Sequence, residues 1–170
     1  WTMALTLVAT AQATNANSYA THVEATAYFD GRANATTFTA ATTATAETWL
    51  VMATTRLERE GYIGTPTSST QRLQWPRSGV ADVTGNGLDY DSSVVPRLMK
   101  EAEYELALAI GNDTALLEDT GLEGFVNVKV GPLDVTPRVG RRGGDLPAQV
   151  LRLLRGLRDV SLGQFHVVRG

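Results

Sequence analysis

Few side chains in this 170-residue chain could do covalent chemistry. There are no cysteines, which excludes a thiol nucleophile, a thiolate metal site and a disulfide framework. The two histidines, His22 and His166, are far apart in sequence, and no serine stands in a G-x-S-x-G nucleophile pattern. The run Gly140-Arg141-Arg142-Gly143-Gly144-Asp145 is glycine-rich, but it lacks the Lys-Ser/Thr pair that completes a phosphate-binding loop. Its composition reads as a hinge. Asp89 and Asp91 alternate as carboxylates on a hard cation do, yet the glycine and distal glutamate of an EF-hand loop are missing, so they read as a solvated turn. No acid, base and nucleophile come together. The expectation is a protein with no catalytic residue, no metal and no cofactor, which works by shape and contact.

Arginine is the side chain that stands out. Thirteen arginines face two lysines, Lys100 and Lys129. The formal net charge of −3 hides their distribution. Residues 1–136 hold eight Lys and Arg against sixteen Asp and Glu, a net of −8. Residues 137–170 hold seven arginines against Asp145 and Asp159, a net of +5. An acidic body therefore carries a basic tail, and charge asymmetry of this kind points to a partner. A second distinctive feature is the string from Ser68 to Val80, with Gln71, Leu73, Trp75, Pro76, Arg77 and Gly79. Trp75 is a large anchor, Pro76 restricts it to extended backbone, Arg77 can reach a carboxylate or carbonyls, and Gly79 permits an unusual turn. The expected role is a plug for the helical core that also meets a neighbouring subunit.

The elements that position these residues follow from periodicity and caps. Residues 4–9 suit a short strand, and Asn15–Ser18 a turn. Thr21-His22-Val23-Glu24 fits a capping box, so a helix should run to about Asp30 and end at Gly31. The Thr/Ala-rich stretch 33–46 has weak periodicity. From about 44 to 60, Ala46, Leu50, Ala53 and Leu57 make one apolar stripe with Trp49 beside it and Gly61 as the stop. Residues 62–93 show no sustained period and read as a long irregular segment with a small hairpin around residues 84–87. Ser92 or Ser93 can cap a helix over 95–110 with Pro96 in its first turn and Gly111 closing it. Its apolar face is Leu98, Met99, Ala102, Leu106, Ala109 and Ile110, and its other face carries Glu101, Glu103 and Glu105.

In the last third, 125–139 reads as an antiparallel hairpin around Gly131-Pro132. Asp145 can cap a helix running to about 158, with Val150, Leu151, Leu153, Leu154 and Leu157 on one side and Arg152, Arg155 and Arg158 on the other. The end of the chain, with Phe165 and His166, looks extended. No window approaches 18 apolar residues, so no membrane span is expected. Trp1 and Thr2 ahead of Met3 read as upstream sequence. The fold class is mainly α: a small helical bundle with a β-hairpin and an extended C-terminal arm. Residues 1–139 form the body, with the hairpin at 125–139, and residues 140–170 form a hinge plus a basic amphipathic arm.

Several short strings resemble a tailed-phage family: Asn17-Ser18-Tyr19, Ala25-Thr26-Ala27-Tyr28-Phe29, Ala53-Thr54-Thr55-Arg56-Leu57, and the Gln71-x-Leu73-x-Trp75-Pro76-Arg77-x-Gly79 loop. The Pro96 helix, Val130-Gly131-Pro132 and the Leu-rich helix follow in the same order across residues 4–157. This family is often labelled DnaT-like single-stranded DNA-binding protein, and it is similar to head-to-tail connector (adaptor) proteins. The resemblance implies a structural virion protein made in the host cytoplasm and placed in the neck. It would be a homo-oligomeric ring, commonly of twelve, that docks on the portal and links it to a tail or stopper protein. Genome DNA would pass through the lumen without sequence-specific contact. On that expectation the portal-binding residues are Arg141, Arg142, Leu151, Arg152, Leu154, Arg155, Arg158, Phe165 and His166. The alternative is a single-stranded DNA-binding protein, in which the basic tail meets phosphates.

Overall fold

The two segments with the clearest helical period become the two longest helices. The computed structural model describes residues 5–83, 87–113, 128–130, 133–135 and 146–159. Helix α3 (Thr43–Leu57) sets its stripe Ala46, Leu50, Ala53 and Leu57 wholly inside. The Thr42 hydroxyl caps it by accepting from the Thr45 amide at 3.3 Å. It stops at Leu57, ahead of Gly61, and Glu58 is the C-cap. Helix α4 (Arg97–Asn112) packs against α3 and is the centre of the molecule, with every residue from Ala102 to Leu108 buried.

The other helices are laid around that pair. In α1 (His22–Phe29) the expected capping box is present: the Thr21 hydroxyl accepts from the Glu24 amide at 3.2 Å, and the Thr21 amide donates to the Glu24 carboxylate at 2.8 Å. Lys100 pairs with the same carboxylate at 2.5 Å, tying α1 to α4. The Thr/Ala-rich stretch forms a 3-10 turn (Ala33–Ala35) and the short α2 (Thr36–Thr39). Together they deliver Phe38 into an aromatic cluster, 4.9 Å from the Phe29 ring and 6.2 Å from Trp49. The irregular segment pairs two short strands, β1 (Thr65–Pro66) and β2 (Arg77–Ser78), in antiparallel register. An isolated bridge, Ala81 to Asp89, flanks the expected small turn, of which residues 84–86 lie outside the described ones. Strands β3 (Val128–Val130) and β4 (Leu133–Val135) pair antiparallel across Gly131-Pro132, as the pattern predicts. Helix α5 (Ala148–Leu153) packs on α4. The mainly helical class with a small antiparallel hairpin is therefore correct.

Four local expectations fail for identifiable reasons. The strand expected over 4–9 forms no ladder from Leu5 to Ala9, the part of it that is described. From Leu5 onward this segment is irregular and pinned by Asn17, whose side chain accepts from the Val8 amide at 2.7 Å and donates to the Thr6 carbonyl at 2.9 Å. Ser92 and Ser93 do not cap α4; Ser93 donates to Asp91 Oδ1 instead, and Pro96 stands at the N-cap. Gly111 does not end α4. It is helical, and a Cβ there would lie 2.9 Å from the Trp49 ring, so the missing side chain makes room for that indole. The largest departure concerns the acids of α4: Glu103 is fully buried and Glu105 is 6% exposed, so neither lies on a solvated face.

Candidate functional site

Every residue type singled out in the tryptophan loop is present for a reason internal to the fold. Trp75 is 1% exposed and meets Tyr62 edge to face at 5.7 Å. The Trp75–Pro76 peptide is cis. The Gln71 side chain accepts from the Ser68 amide and donates to the Leu73 and Pro76 carbonyls at 2.7 and 3.1 Å. Gln74 donates to the Glu58 and Glu60 carbonyls, which closes the loop on the end of α3. Arg77 is buried and reaches carbonyls rather than a carboxylate. Its Nε donates to Ile63 at 2.7 Å, Nη2 to Gly64 at 2.6 Å and Tyr62 at 3.3 Å, and Nη1 to Gln74 at 3.3 Å. Gly79, expected to permit an unusual turn, adopts left-handed backbone at φ +70°. Leu73 and Pro76 are buried with Trp75.

The arm residues divide into three groups. Leu154 and Leu157 are fully buried, and Leu151 is half-buried against the same core. The apolar side of the helix predicted over 145–158 is thus covered by the chain's own body. Arg158 is also bound to that body: it pairs with Glu60 at 2.5 Å and bridges Tyr62 through its backbone. Arg152 and Arg155 are exposed and have no carboxylate partner among the described residues. Arg141, Arg142, Phe165 and His166 lie outside the described residues.

Most other cations are also engaged. Arg32 pairs with Glu105 at 2.6 Å and Arg97 with Glu101 at 2.7 Å, in addition to the Lys100–Glu24 pair. Against that background the outer face of α3 and the edge of the tryptophan loop differ. Arg56, Arg59 and Arg72 have no ion pair and no side-chain hydrogen bond among the described residues. Two adjoining grooves hold them. One, of about 230 Å³, is lined by Val51, Met52, Thr55, Arg56 and Arg59. The other, of about 200 Å³, shares Val51 and Thr55 and adds Asn17, Glu58, Leu73 and Arg72. Glu60, four residues after Arg56, is held by Arg158. The Glu58 carboxylate is occupied from the loop side by the Tyr19 hydroxyl and the Gln74 amide, and burial pushes its pKa upward. The result is a strip of half-buried apolar side chains, Val51 and Met52, bordered by three arginines with free donors. Chemically, it can meet anions with the guanidinium groups and flat apolar surface with its floor.

Sequence reasoning missed Arg56 and Arg59 as site residues, although the signal was present. An inward stripe at 46, 50, 53 and 57 leaves 52 and 56 off the buried face, and Arg59 follows just past the C-cap. It also missed the buried cluster behind that face. Glu103 Oε1 accepts from Ser18 Oγ at 2.6 Å, Thr54 Oγ1 at 2.7 Å and the Tyr19 amide at 3.2 Å, while Oε2 is buried without a partner. Burial raises its pKa to about 7 against those three donors. The Asn17-Ser18-Tyr19 string is thus accounted for by the fold: Asn17 pins the N-terminal segment, and the next two residues meet Glu103. His22 stacks on Phe38 at 6.2 Å, consistent with a boundary position. No group of three or more His, Asp or Glu is arranged to hold a metal among the described residues. Among the same residues no helix is long and apolar enough to cross a membrane.

Comparison with known proteins gives one result. Residues 3–170 match the model of the family described as "Putative DnaT-like ssDNA binding protein". Searches of curated proteins and of solved structures return no match. The chain therefore belongs to that family, which is described by binding rather than by catalysis. This match overturns the head-to-tail adaptor reading, because the matched family is described by single-stranded DNA and no connector is matched. The ring of twelve, the portal and tail partners and the virion neck were implied by the adaptor reading alone and are not carried forward.

Proposed function

Starting from membership of that family, we propose that this chain binds single-stranded DNA through the outer face of α3 and the adjoining loop edge. The observation that carries the proposal is the set of three arginines without partners among the described residues, Arg56, Arg59 and Arg72, around the Val51–Met52 strip. A single strand offers a phosphate at every nucleotide and an unpaired base beside it. Guanidinium groups take the phosphates, and bases lie on apolar side chains or on the guanidinium planes. Exposed aromatic platforms are not the basis of this reading. Trp75 is buried, Trp49 is wedged against Gly111, and Phe165 lies outside the described residues.

The basic tail can add to this surface but is not uniformly available. Of its arginines, Arg158 is held by Glu60, whereas Arg152 and Arg155 are open. Binding governed by phosphates must weaken with salt. Three arginine contacts on a single strand give a slope of log K against log salt of about −2. Fluorescence anisotropy of a labelled 20-mer over a salt series checks this. Absence of binding at low ionic strength would remove the proposal.

A further inference from the structure

Met52 and Met99 are described, Met3 is not, and the fold places the two described methionines in opposite surroundings. Met99, in α4, is wholly enclosed in the core. Met52, in α3, is half-buried and lines the groove of about 230 Å³ with Val51, Thr55, Arg56 and Arg59. A thioether is soft and polarisable, and a peroxide converts it to a polar, chiral sulfoxide. Burial decides which methionine a dissolved oxidant reaches. Met52 is open to it on the groove side, and Met99 is shielded.

The surroundings of Met52 set the consequence. Among the described residues no acid lines this groove. Thr55 Oγ1 donates to the Val51 carbonyl at 2.9 Å, so its hydroxyl proton is used within the helix. The donors left along the groove are the guanidinium groups of Arg56 and Arg59, which have no ion pair among the described residues. Met52 and Arg56 stand one helical turn apart, at the i,i+4 spacing that makes side chains neighbours. A sulfoxide oxygen at Met52 is therefore an acceptor introduced beside a guanidinium that has none. Oxidation changes the strip twice over. The apolar floor on which a base lies becomes polar, and Arg56 gains a partner from its own chain in place of a phosphate.

We propose that Met52 is a modification site that switches the arginine strip: oxidation to the sulfoxide by hydrogen peroxide weakens single-stranded DNA binding, and reduction restores it. In the forward step the sulfur attacks one peroxide oxygen. An S–O bond forms as the O–O bond breaks, the sulfur gives up two electrons, and the other oxygen leaves as water with the proton of the oxygen attacked. In the return step two thiols supply the electrons and protons, and leave as a disulfide while the sulfoxide oxygen leaves as water. The proposal rests on the single-stranded DNA reading. The experiment treats the full chain with hydrogen peroxide, locates the sulfoxide by peptide mass spectrometry and measures anisotropy of a labelled 20-mer before and after. Met52 should oxidise before Met99, with circular dichroism unchanged. Affinity at low salt should fall about tenfold, the lower end of what one stacked base contributes. The slope of log K against log salt should become shallower by about 0.7, the share of one phosphate contact on a single strand. Methionine sulfoxide reductase with dithiothreitol should restore both. Met52→Leu, compared with itself before treatment, should lose no affinity to peroxide. Complete oxidation of Met52 with undiminished binding overturns the switch and leaves the DNA reading standing. Equal losses in wild type and Met52→Leu place the sensitivity elsewhere and also overturn it. Absence of binding before any oxidation sinks the DNA reading, and the switch with it.

Discussion

Arg72 and Arg77 stand five residues apart in one loop and end in opposite situations. Arg77 is buried and donates to four backbone carbonyls, from Tyr62, Ile63, Gly64 and Gln74. Arg72 is exposed, and among the described residues only its backbone is tied, to the Ala13 carbonyl. The same contrast runs through the molecule. On one side of α3, Leu50, Ala53 and Leu57 are sealed into the core, while Arg56 on another side and Arg59 just past its C-cap have no partner among the described residues. A guanidinium with four of its five donors on backbone carbonyls holds the fold; one with no donor used among the described residues is available to a ligand. The comparison separates two readings of a distinctive motif. The Gln71–Gly79 string is conspicuous in sequence because its residues must satisfy one another, whereas the residues free to bind are conspicuous only in three dimensions.

Substitutions should split along that line. The largest expected effect is Trp75→Ala, which empties a fully enclosed site and should destabilise the fold by about 3–5 kcal/mol. Chemical denaturation measures this, and a loss below about 1 kcal/mol would break the division by showing the loop to be a surface feature. Arg77→Ala comes next. It leaves buried carbonyls without a donor and should cost about 2–3 kcal/mol, with DNA affinity unchanged once only folded protein is counted.

A third test concerns the acid beneath the arginine face. The Glu103 carboxyl titrates at about 7 in the fold, above its ordinary 4.5, because it is buried. A raised carboxyl pKa means that the folded chain keeps a proton that the unfolded chain releases. Glu103 therefore favours folding fully below about pH 4.5, and that contribution is lost as pH rises toward 7, with a slope approaching about 1.4 kcal/mol per pH unit. Lys100 acts in the other direction, and Tyr19 and Thr54 sit on the same carboxylate. Denaturation midpoints from pH 5 to 8 should fall for wild type and flatten for Glu103→Gln. Parallel curves would show that Glu103 stays ionised throughout. The smallest stability effect is expected for Arg56→Ala, Arg59→Ala and Arg72→Ala, each within about 0.5 kcal/mol. Arg56, in the last turn of α3, sits at the upper end of that range because it complements the helix dipole.

Much of the fold was legible. The capping box at Thr21–Glu24, the stripe of α3, the hairpin around Gly131-Pro132 and the left-handed Gly79 follow from local rules that tertiary context left alone. Non-local facts were harder to read. Gly111 looks like a stop until Trp49 is known to lie over it. The α4 acids are more instructive. Glu103 falls at helical spacing with Met99, Leu106 and Ile110, all buried, yet its charge put it on the other face in the sequence reading. What tips the balance is a set of donors from Ser18, Tyr19 and Thr54, which lie 49 to 85 residues away in sequence. The arginine strip was hidden for a related reason. Counting charge along the chain assigns the basic character to the tail, but which arginines are free depends on which acids the fold gives to others, as with Glu60 and Arg158.

The central claim is that the cations the fold leaves free are those that bind DNA. The most direct measurement is a salt titration of single-stranded 20-mer binding by wild type and by the Arg56→Ala/Arg59→Ala/Arg72→Ala triple variant. The account predicts an unchanged unfolding midpoint for the variant, weaker binding at low salt, and a log–log slope shallower by about 2. Identical slopes for the two proteins, with both folded, would contradict it.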